Sequence, residues 1–442
     1  MRMQKESFSL HSELCRVFET PATGEHWFGY YDKSPFDSKN KRILSLQANF
    51  SDRMPEAGDT ASILVWSLDS GRCKKIGETN AFNWQQGAML QWLGPDFSSK
   101  IIYNDLRDQN FVSVVFDLES GHEKVLPLPV YTVQNSGKQA LCVNHERHFW
   151  CRRGYSYGGI ENPQWKGFCP KGDGISSLNI ETGENQLIIE TADMMKFNPL
   201  SSMADGDNYL EHLLFSPGGE FFFFYHRWNI ADGGLYGRVY TARTDGTDIR
   251  LLYDSGNMSH YAWQDDGHLL VFGQPESRVN SLRRSKFLTR YFLKCLLPVY
   301  HSIIAVRPSL RKKIVSNHYM LFDIMAGDCQ TVAADSLQED GHPSFHPINP
   351  DWFLTDTYPD SGGNQRLLLV QISTGSIIEL GSFRANSRYV STPWRCDLHP
   401  RWDRSGKYIC IDSSHTGSRQ IHVFSLCREL NQELIIPRNT AL

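Results

Sequence analysis

Short apolar runs alternate with polar turns along almost the whole chain. Runs such as Ile43-Leu44-Ser45-Leu46, Ile63-Leu64-Val65-Trp66, Ile101-Ile102-Tyr103 and Tyr408-Ile409-Cys410-Ile411 are too short for helices. They are bounded by Gly, Pro, Asp or Asn, which is the signature of strands and tight turns. One phrase recurs. It begins with a strand start and a turn bearing Pro, Gly or Asp. A strongly apolar strand, a loop, a third strand ending in an Asp/Thr-x-Gly type turn, and a fourth strand follow. Its copies cover residues 29–71, 89–121, 140–183, 212–246, 260–323, 339–375 and 399–425. Short strands repeating every ~40–60 residues define a β-propeller. The expected fold is therefore all-β, a seven-bladed β-propeller spanning residues 1–442 as one domain. Either residues 15–19 or residues 433–436 supply the outer strand that joins the last blade to the first.

One stretch breaks the pattern. Residues 277–317 fall between the second and third strands of blade five and carry no Asp or Glu, while Arg278, Arg283, Arg284, Lys286, Arg290, Lys294, Arg307, Arg311, Lys312 and Lys313 lie within them. Phe287, Tyr291, Leu293, Leu297 and Ile303 give this insertion amphipathic, helical character, with Pro298 and Pro308 as breaks. A helical flap with a solvated basic face is the plain reading. A positively charged lid over an anionic substrate and a peripheral membrane contact with anionic lipid are the functional ones.

Composition narrows the rest. The 442 residues carry a formal net charge of −4, so whole-chain charge gives no reason to expect nucleic acid as a partner. The ten cysteines are scattered and form no close CxxC pair, which argues against a cysteine zinc site and for free thiols in a reducing cytoplasm. Residues 1–12 lack the apolar stretch of a signal peptide, and no run of some eighteen apolar residues occurs, so a cytoplasmic location is expected.

Candidate chemistry lies in the repeat register. Counting back four residues from Ser216 and its equivalents gives His212, His260, His342 and His399 in blades four to seven. That position starts the innermost strand, and inner strands face the central channel. Histidine is both the common metal ligand and the common general base near neutral pH. Glu211, Glu339, Asp340, Asp397, His226, Arg227, Asp356 and His415 add polar groups. Histidines with a carboxylate and open positions suit Mn²⁺, with Zn²⁺ as an alternative, better than Mg²⁺. The expected ligands are His260, His342, Glu339 and His399. Gln85, Gln86 and Asn104 in blade two offer hydrogen bonds to a substrate, and Tyr31 offers a ring to a sugar, although such aromatics more often pack a core.

The order and spacing of these groups resemble the oligogalacturonate lyase family and, more distantly, the ulvan lyases. His212 opens a His-x-x-x-Ser-Pro segment like that of the family's general-base histidine, His260 matches a metal histidine, and Glu339-x-x-His342 lies where the family has Gln-x-x-His-x-His. Glutamate replaces the glutamine, and Ser344 replaces the second histidine. The resemblance implies a cytoplasmic seven-bladed propeller that cleaves uronic-acid oligosaccharides or polysaccharides by β-elimination with a divalent metal, often manganese. It implies His212 as base, a metal or Arg227 neutralising the substrate carboxylate, and His226 or Tyr225 returning a proton. The rival is a non-enzymatic propeller that binds an anionic glycan or serves as an assembly platform. Gly154-Tyr155-Ser156-Tyr157-Gly158 also fits the GxSxG pattern of serine hydrolases, but Pro163 follows where that elbow needs a helix, so a glycine-rich loop is expected.

Overall fold

In a computed structural model, residues 7–160, 167–230, 233–275, 282–293 and 317–435 are described. The chain is a seven-bladed β-propeller, with one five-stranded and six four-stranded antiparallel sheets. It divides into two compact units. The first comprises residues 1–130, 153–160 and 340–442. The second comprises residues 131–152 and 161–339.

The first unit holds blades one, two, six and seven. Blade one is Glu25–Trp27, Arg42–Ala48, Ala61–Ser67 and Cys73–Thr79, and blade two is Gln91–Trp92, Lys100–Arg107, Asn110–Asp117 and Glu123–Leu126. Blade six is Ser344–Phe345, Trp352–Asp356, Asn364–Gln371 and Ile377–Arg384, extended by the N-terminal strand Phe8–Leu10. Blade seven is Arg401–Trp402, Tyr408–Ser413 and Gln420–Leu426, completed by Leu14–Glu19. Of the two expected closures, the N-terminal strand is therefore the one used, and the C-terminal stretch is instead the helix Arg428–Ile435. The side chains that alternate inward along these strands form the core. Phe18, Trp27, Ile43, Ile63, Trp92, Ile101, Val114, Ile421 and Val423 make one continuous apolar cluster.

The second unit holds blades three to five. Blade three is Thr132–Val133, Gln139–Val143, Gly174–Asn179 and Asn185–Glu190; blade four is Asn208–Phe215, Phe221–Asn229, Leu235–Arg243 and Arg250–Tyr253; blade five is Met258–Trp263, His268–Gly273, His318–Asp323 and Cys329–Val332. The insertion falls between the second and third strands of blade five. Residues 276–281 and 294–316 lie outside the described residues, so the expectations of a basic flap and of a membrane contact fall largely outside them too. Its described part includes the π-helical turns Leu288–Leu293, with Phe287 and Tyr291 exposed.

The turn chemistry recurs between blades. At the hairpin after the third strand in blades two and five, a side-chain oxygen at the strand's end accepts the next backbone N–H groups, and a left-handed glycine closes the turn. Asp117 does so for Glu119 and Ser120 before Gly121 (φ 72°), and Asp323 for Met325 and Ala326 before Gly327 (φ 76°).

Phe149-Trp150-Cys151, an apolar run that reads from the sequence as a strand of blade three, is part of a helix. Residues 149–151 belong to His145–Cys151, whose cap Asn144 accepts from the N–H groups of Glu146 and Arg147 at 3.1 Å. An apolar Phe-Trp-Cys run is too short for its period to distinguish helix from strand, and the cap decides it.

Candidate active site and metal centre

Each unit carries one cluster of chemically competent side chains. In the second unit it forms where the inner strand of blade four is irregular. The register of Asn208–Phe215 against Phe221–Asn229 shifts between Glu211 and Leu214, and His212 sits within that bulge with φ 57°. A left-handed conformation is uncommon outside glycine, and such strain concentrates at functional positions.

Glu211 beside it is fully buried. It accepts from His148 Nε2 at 2.8 Å and Arg152 Nη1 at 2.7 Å, and pairs with Arg227 Nε at 2.8 Å. Burial alone pushes this carboxyl up, but Arg152, Arg227 and the His148 hydrogen bond outweigh that and hold it well below the usual carboxylate range. Arg152 also donates to His212 Nε2 at 3.1 Å. A guanidinium only donates, so Nε2 carries the lone pair and Nδ1 the proton. Nδ1 lies 3.0 Å from the Tyr131 hydroxyl and 3.4 Å from that of Tyr261. Burial, then the charges of Arg152 and Arg227, drive the His212 pKa well below its ordinary value, with Glu211 opposing. The fold thus holds a neutral imidazole of fixed tautomer beside two arginines. Arg227 also donates to the Met258 carbonyl at 3.1 Å and lies over the Tyr225 ring.

Two neighbours have other positions. His226 is fully enclosed, bonded through Nε2 to Asn208 Oδ1 at 3.0 Å, and burial lowers its pKa to about 3. Its environment is that of an enclosed structural histidine rather than of a proton donor. His260 is buried on the inner strand Met258–Trp263, again at a register shift, beside the Tyr261 that reaches His212.

In the first unit, His342, Asp397 and His399 are buried, with one ligand atom from each all within 4.8 Å of one another. The His342 and His399 rings stand 4.3 Å apart, nearly perpendicular. Asp356, at the end of Trp352–Asp356, organises both. It accepts the backbone N–H of His342 at 2.8 Å, its Nδ1–H at 2.7 Å, and the N–H of His399 at 3.1 Å. His399, with φ 44°, donates Nδ1–H to the Gly29 carbonyl at 2.9 Å. Both rings therefore turn Nε2 to the remaining side, which is how histidine ligands are oriented by their outer partners. Asp397 accepts from Arg395 Nε at 2.8 Å through Oδ2, while its buried Oδ1 has no hydrogen-bond partner among the described residues.

Two imidazole nitrogens and a carboxylate oxygen gathered within 4.8 Å of one another fit a divalent ion such as Mn²⁺ or Zn²⁺. Of the expected ligands, His342 and His399 are brought together, and the carboxylate grouped with them is Asp397. Glu339 is exposed, and it and His260 belong to the second unit.

Tyr30, Tyr31 and Tyr358 pack around the two rings, with Tyr31 5.2 Å and Tyr358 5.8 Å from His342. Arg395 also donates to the Tyr155 hydroxyl at 3.1 Å and lies over Tyr358. Burial, then Asp397 and Asp340, push the Tyr358 hydroxyl well above its ordinary pKa, so it stays protonated. Gln85 and Gln86 are buried. Gln85 donates to the Arg395 carbonyl, and the backbone N–H of Gln86 donates to Asn83.

Asn104 corrects one expectation. Its amide donates to the Val130 carbonyl and accepts the Val130 N–H, with Tyr157 as a third partner, so it ties backbone together instead of facing a ligand. The GxSxG stretch is a short 3-10 turn, Arg153–Tyr155, after a helix, not a strand–elbow–helix, and Ser156 is buried.

Sequence reasoning overlooked Arg152, His148, Arg395 and Tyr155. A pair of basic residues after a helix-capping asparagine was the available signal for Arg152. Arg395 has one local partner, Asp397 two residues on, but its other partner, Tyr155, comes from far away in the chain.

The architecture is that of oligogalacturonate lyases. An oligogalacturonate lyase solved in complex with manganese superposes with a TM-score of 0.61 at 13% identity, over 96% of this chain and 97% of that one. The oligogalacturonate lyase of Vibrio parahaemolyticus superposes with a TM-score of 0.57 at 10% identity, over 95% of this chain and 96% of that one. No known family profile matches the sequence. No curated protein matches it either. Among the described residues, no helix is long and apolar enough to cross a membrane.

Proposed function

We propose that this protein is a lyase that cleaves uronic-acid-containing oligosaccharides or polysaccharides by β-elimination, with His212 as the general base. His342, Asp397 and His399 would hold a divalent metal. The observation that carries the reading is the state of His212, a buried neutral imidazole with its lone pair on Nε2, flanked by Arg152 and Arg227. A C5 hydrogen next to a carboxylate is acidic enough to be removed only if the carboxylate charge is neutralised as the carbanion forms. When bound, the metal supplies positive charge and Lewis acidity toward anionic oxygens.

The chain's residues do the rest. Arg152 leaves the His212 lone pair and, with Arg227, pairs with the uronate carboxylate. His212 Nε2 takes the C5 proton while the C–H electron pair moves toward the carboxylate. That pair then forms the C4–C5 double bond as the C4–O bond breaks. His212 returns its proton to the departing oxygen when both groups leave from one face of the sugar, and water supplies a proton when they leave from opposite faces. Glu211, ionised between its partners, holds Arg152 and Arg227 in place.

The test is formation of the unsaturated uronate chromophore from pectin, glucuronan, ulvan and glycosaminoglycan fragments, with and without chelator. The expected outcome is turnover that His212→Gln reduces roughly 100- to 10,000-fold with folding intact, and that Asp397→Asn reduces together with Mn²⁺ binding by calorimetry. Glycan binding without any turnover in the wild type identifies a binding module instead.

A further inference from the structure

We propose that Cys15 and Cys427 are a disulfide-forming modification site that locks the strand closing blade seven. The inference is independent of the lyase reading. Cys15 lies on the N-terminal strand Leu14–Glu19 and Cys427 follows the last strand, Gln420–Leu426, so the pair joins segments 412 residues apart in sequence. Their sulfurs stand 3.5 Å apart.

The backbone around them is fixed. Leu14 pairs with Leu426, Cys15 with Ser425, and the Cys427 N–H donates to the Glu13 carbonyl at 2.8 Å. The two cysteines are thus diagonal neighbours across the strand pair, within reach of each other's side chains. Bond formation needs an approach of about 1.5 Å. Cys427 can provide it because the ladder ends at Leu426 and the chain turns into the helix Arg428–Ile435.

Proximity sets this pair apart from the exposed Cys73 and Cys329, and access sets it apart from the buried thiols. Cys15 is exposed and Cys427 partly exposed, whereas Cys142, Cys396 and Cys410 are buried. Burial pushes the Cys396 and Cys410 thiols up to about 12, which suppresses their thiolates. Cys427 is also raised, first by its hydrogen bond with Cys15, so its proton is held between the two sulfurs.

The chemistry balances with a disulfide oxidant such as oxidised glutathione. The Cys15 thiolate attacks it, forming a mixed disulfide and releasing one glutathione thiolate. Cys427 gives its proton to solvent and attacks the Cys15 sulfur, releasing the second. Two protein thiols lose two electrons, and one glutathione disulfide becomes two glutathione thiols. The product covalently joins the strand that closes blade seven to the end of the strand it pairs with, through a very long loop, the case in which cross-linking restricts the unfolded chain most.

The experiment treats the full chain with oxidised glutathione, then blocks remaining thiols and maps the peptides without reduction. The expected result is a linked peptide pair containing Cys15 and Cys427, an intact mass lower by about 2 Da, and a Tm higher by roughly 5 °C that dithiothreitol reverses. Cys15→Ser and Cys427→Ser each abolish the linkage and the Tm rise, and the double variant keeps the reduced protein's Tm. Persistent glutathione adducts on either cysteine, or a linkage with no change in Tm, overturns the proposal.

Discussion

His212 shows how much of a catalytic group's character comes from its surroundings. An ordinary histidine titrates near 6.5, but this one is enclosed and faces two guanidinium groups, so its neutral form is favoured to much lower pH. Its sign is that of a depressed base. Protonation, and with it loss of base function, begins only as pH falls well below the ordinary value. With metal saturating, the acid limb of kcat is therefore expected well below the ordinary histidine range. Arg152→Gln removes one of the depressing charges and leaves Glu211 opposed by fewer cations, so that limb should move up toward the ordinary histidine range. A pH profile of the variant checks this, and an unmoved limb would show that Arg152 does not set the His212 charge state. The same logic separates His342 and His399 from other enclosed histidines. Their Nδ1 atoms are committed to Asp356 and to the Gly29 carbonyl, which orients rather than occupies the rings. The repeat register had pointed to all four histidines. It did not reveal which carboxylate accompanies them, because Asp397 and Glu339 are equally plausible on spacing alone.

The helix His145–Cys151 does most to assemble the second unit's cluster. It buries His145, Arg147 and His148, brings His148 to Glu211, and ends at Arg152, whose guanidinium reaches both Glu211 and His212. Asn144 caps it with two hydrogen bonds. Asn144→Ala should cost about 1 kcal/mol in urea unfolding and lower kcat more than KM, because the residues it displaces act on the base. Asn144→Asp, which keeps an accepting oxygen, should restore both. Equal stability of the alanine variant and wild type would remove the cap from the argument. This element was misread as a strand because a single cap residue, not a hydrophobic period, defines it. The strands themselves were legible, since their period-two alternation and glycine turns are written locally.

At the scale of the molecule, stability depends on keeping several histidines unprotonated. Burial lowers His26 and His415 to about 4, and His226 and His422 to about 3. Each has a folded pKa below its unfolded one, so the unfolded chain binds more protons between these values and about 6.5. Stability is present above that range and is lost as pH falls through it, by up to about 1.4 kcal/mol per pH unit for each histidine. The urea midpoint should therefore fall steadily from pH 6.5 to 4, and His226→Gln, which retains an amide donor for Asn208, should flatten the slope. A midpoint independent of pH over that range would contradict the assignment. The sequence by itself determined the all-β class, the seven units, the place of the insertion and the histidines that begin the inner strands, because strand period, turn chemistry and repeat spacing are local properties. Tertiary structure decided which terminus closes blade seven, that Asp397 joins His342 and His399, that Asn104 binds backbone, and that Arg152 and Glu211 set the state of His212. Those outcomes depend on burial and on contacts between residues far apart in the chain, and neither is encoded in any short stretch of it.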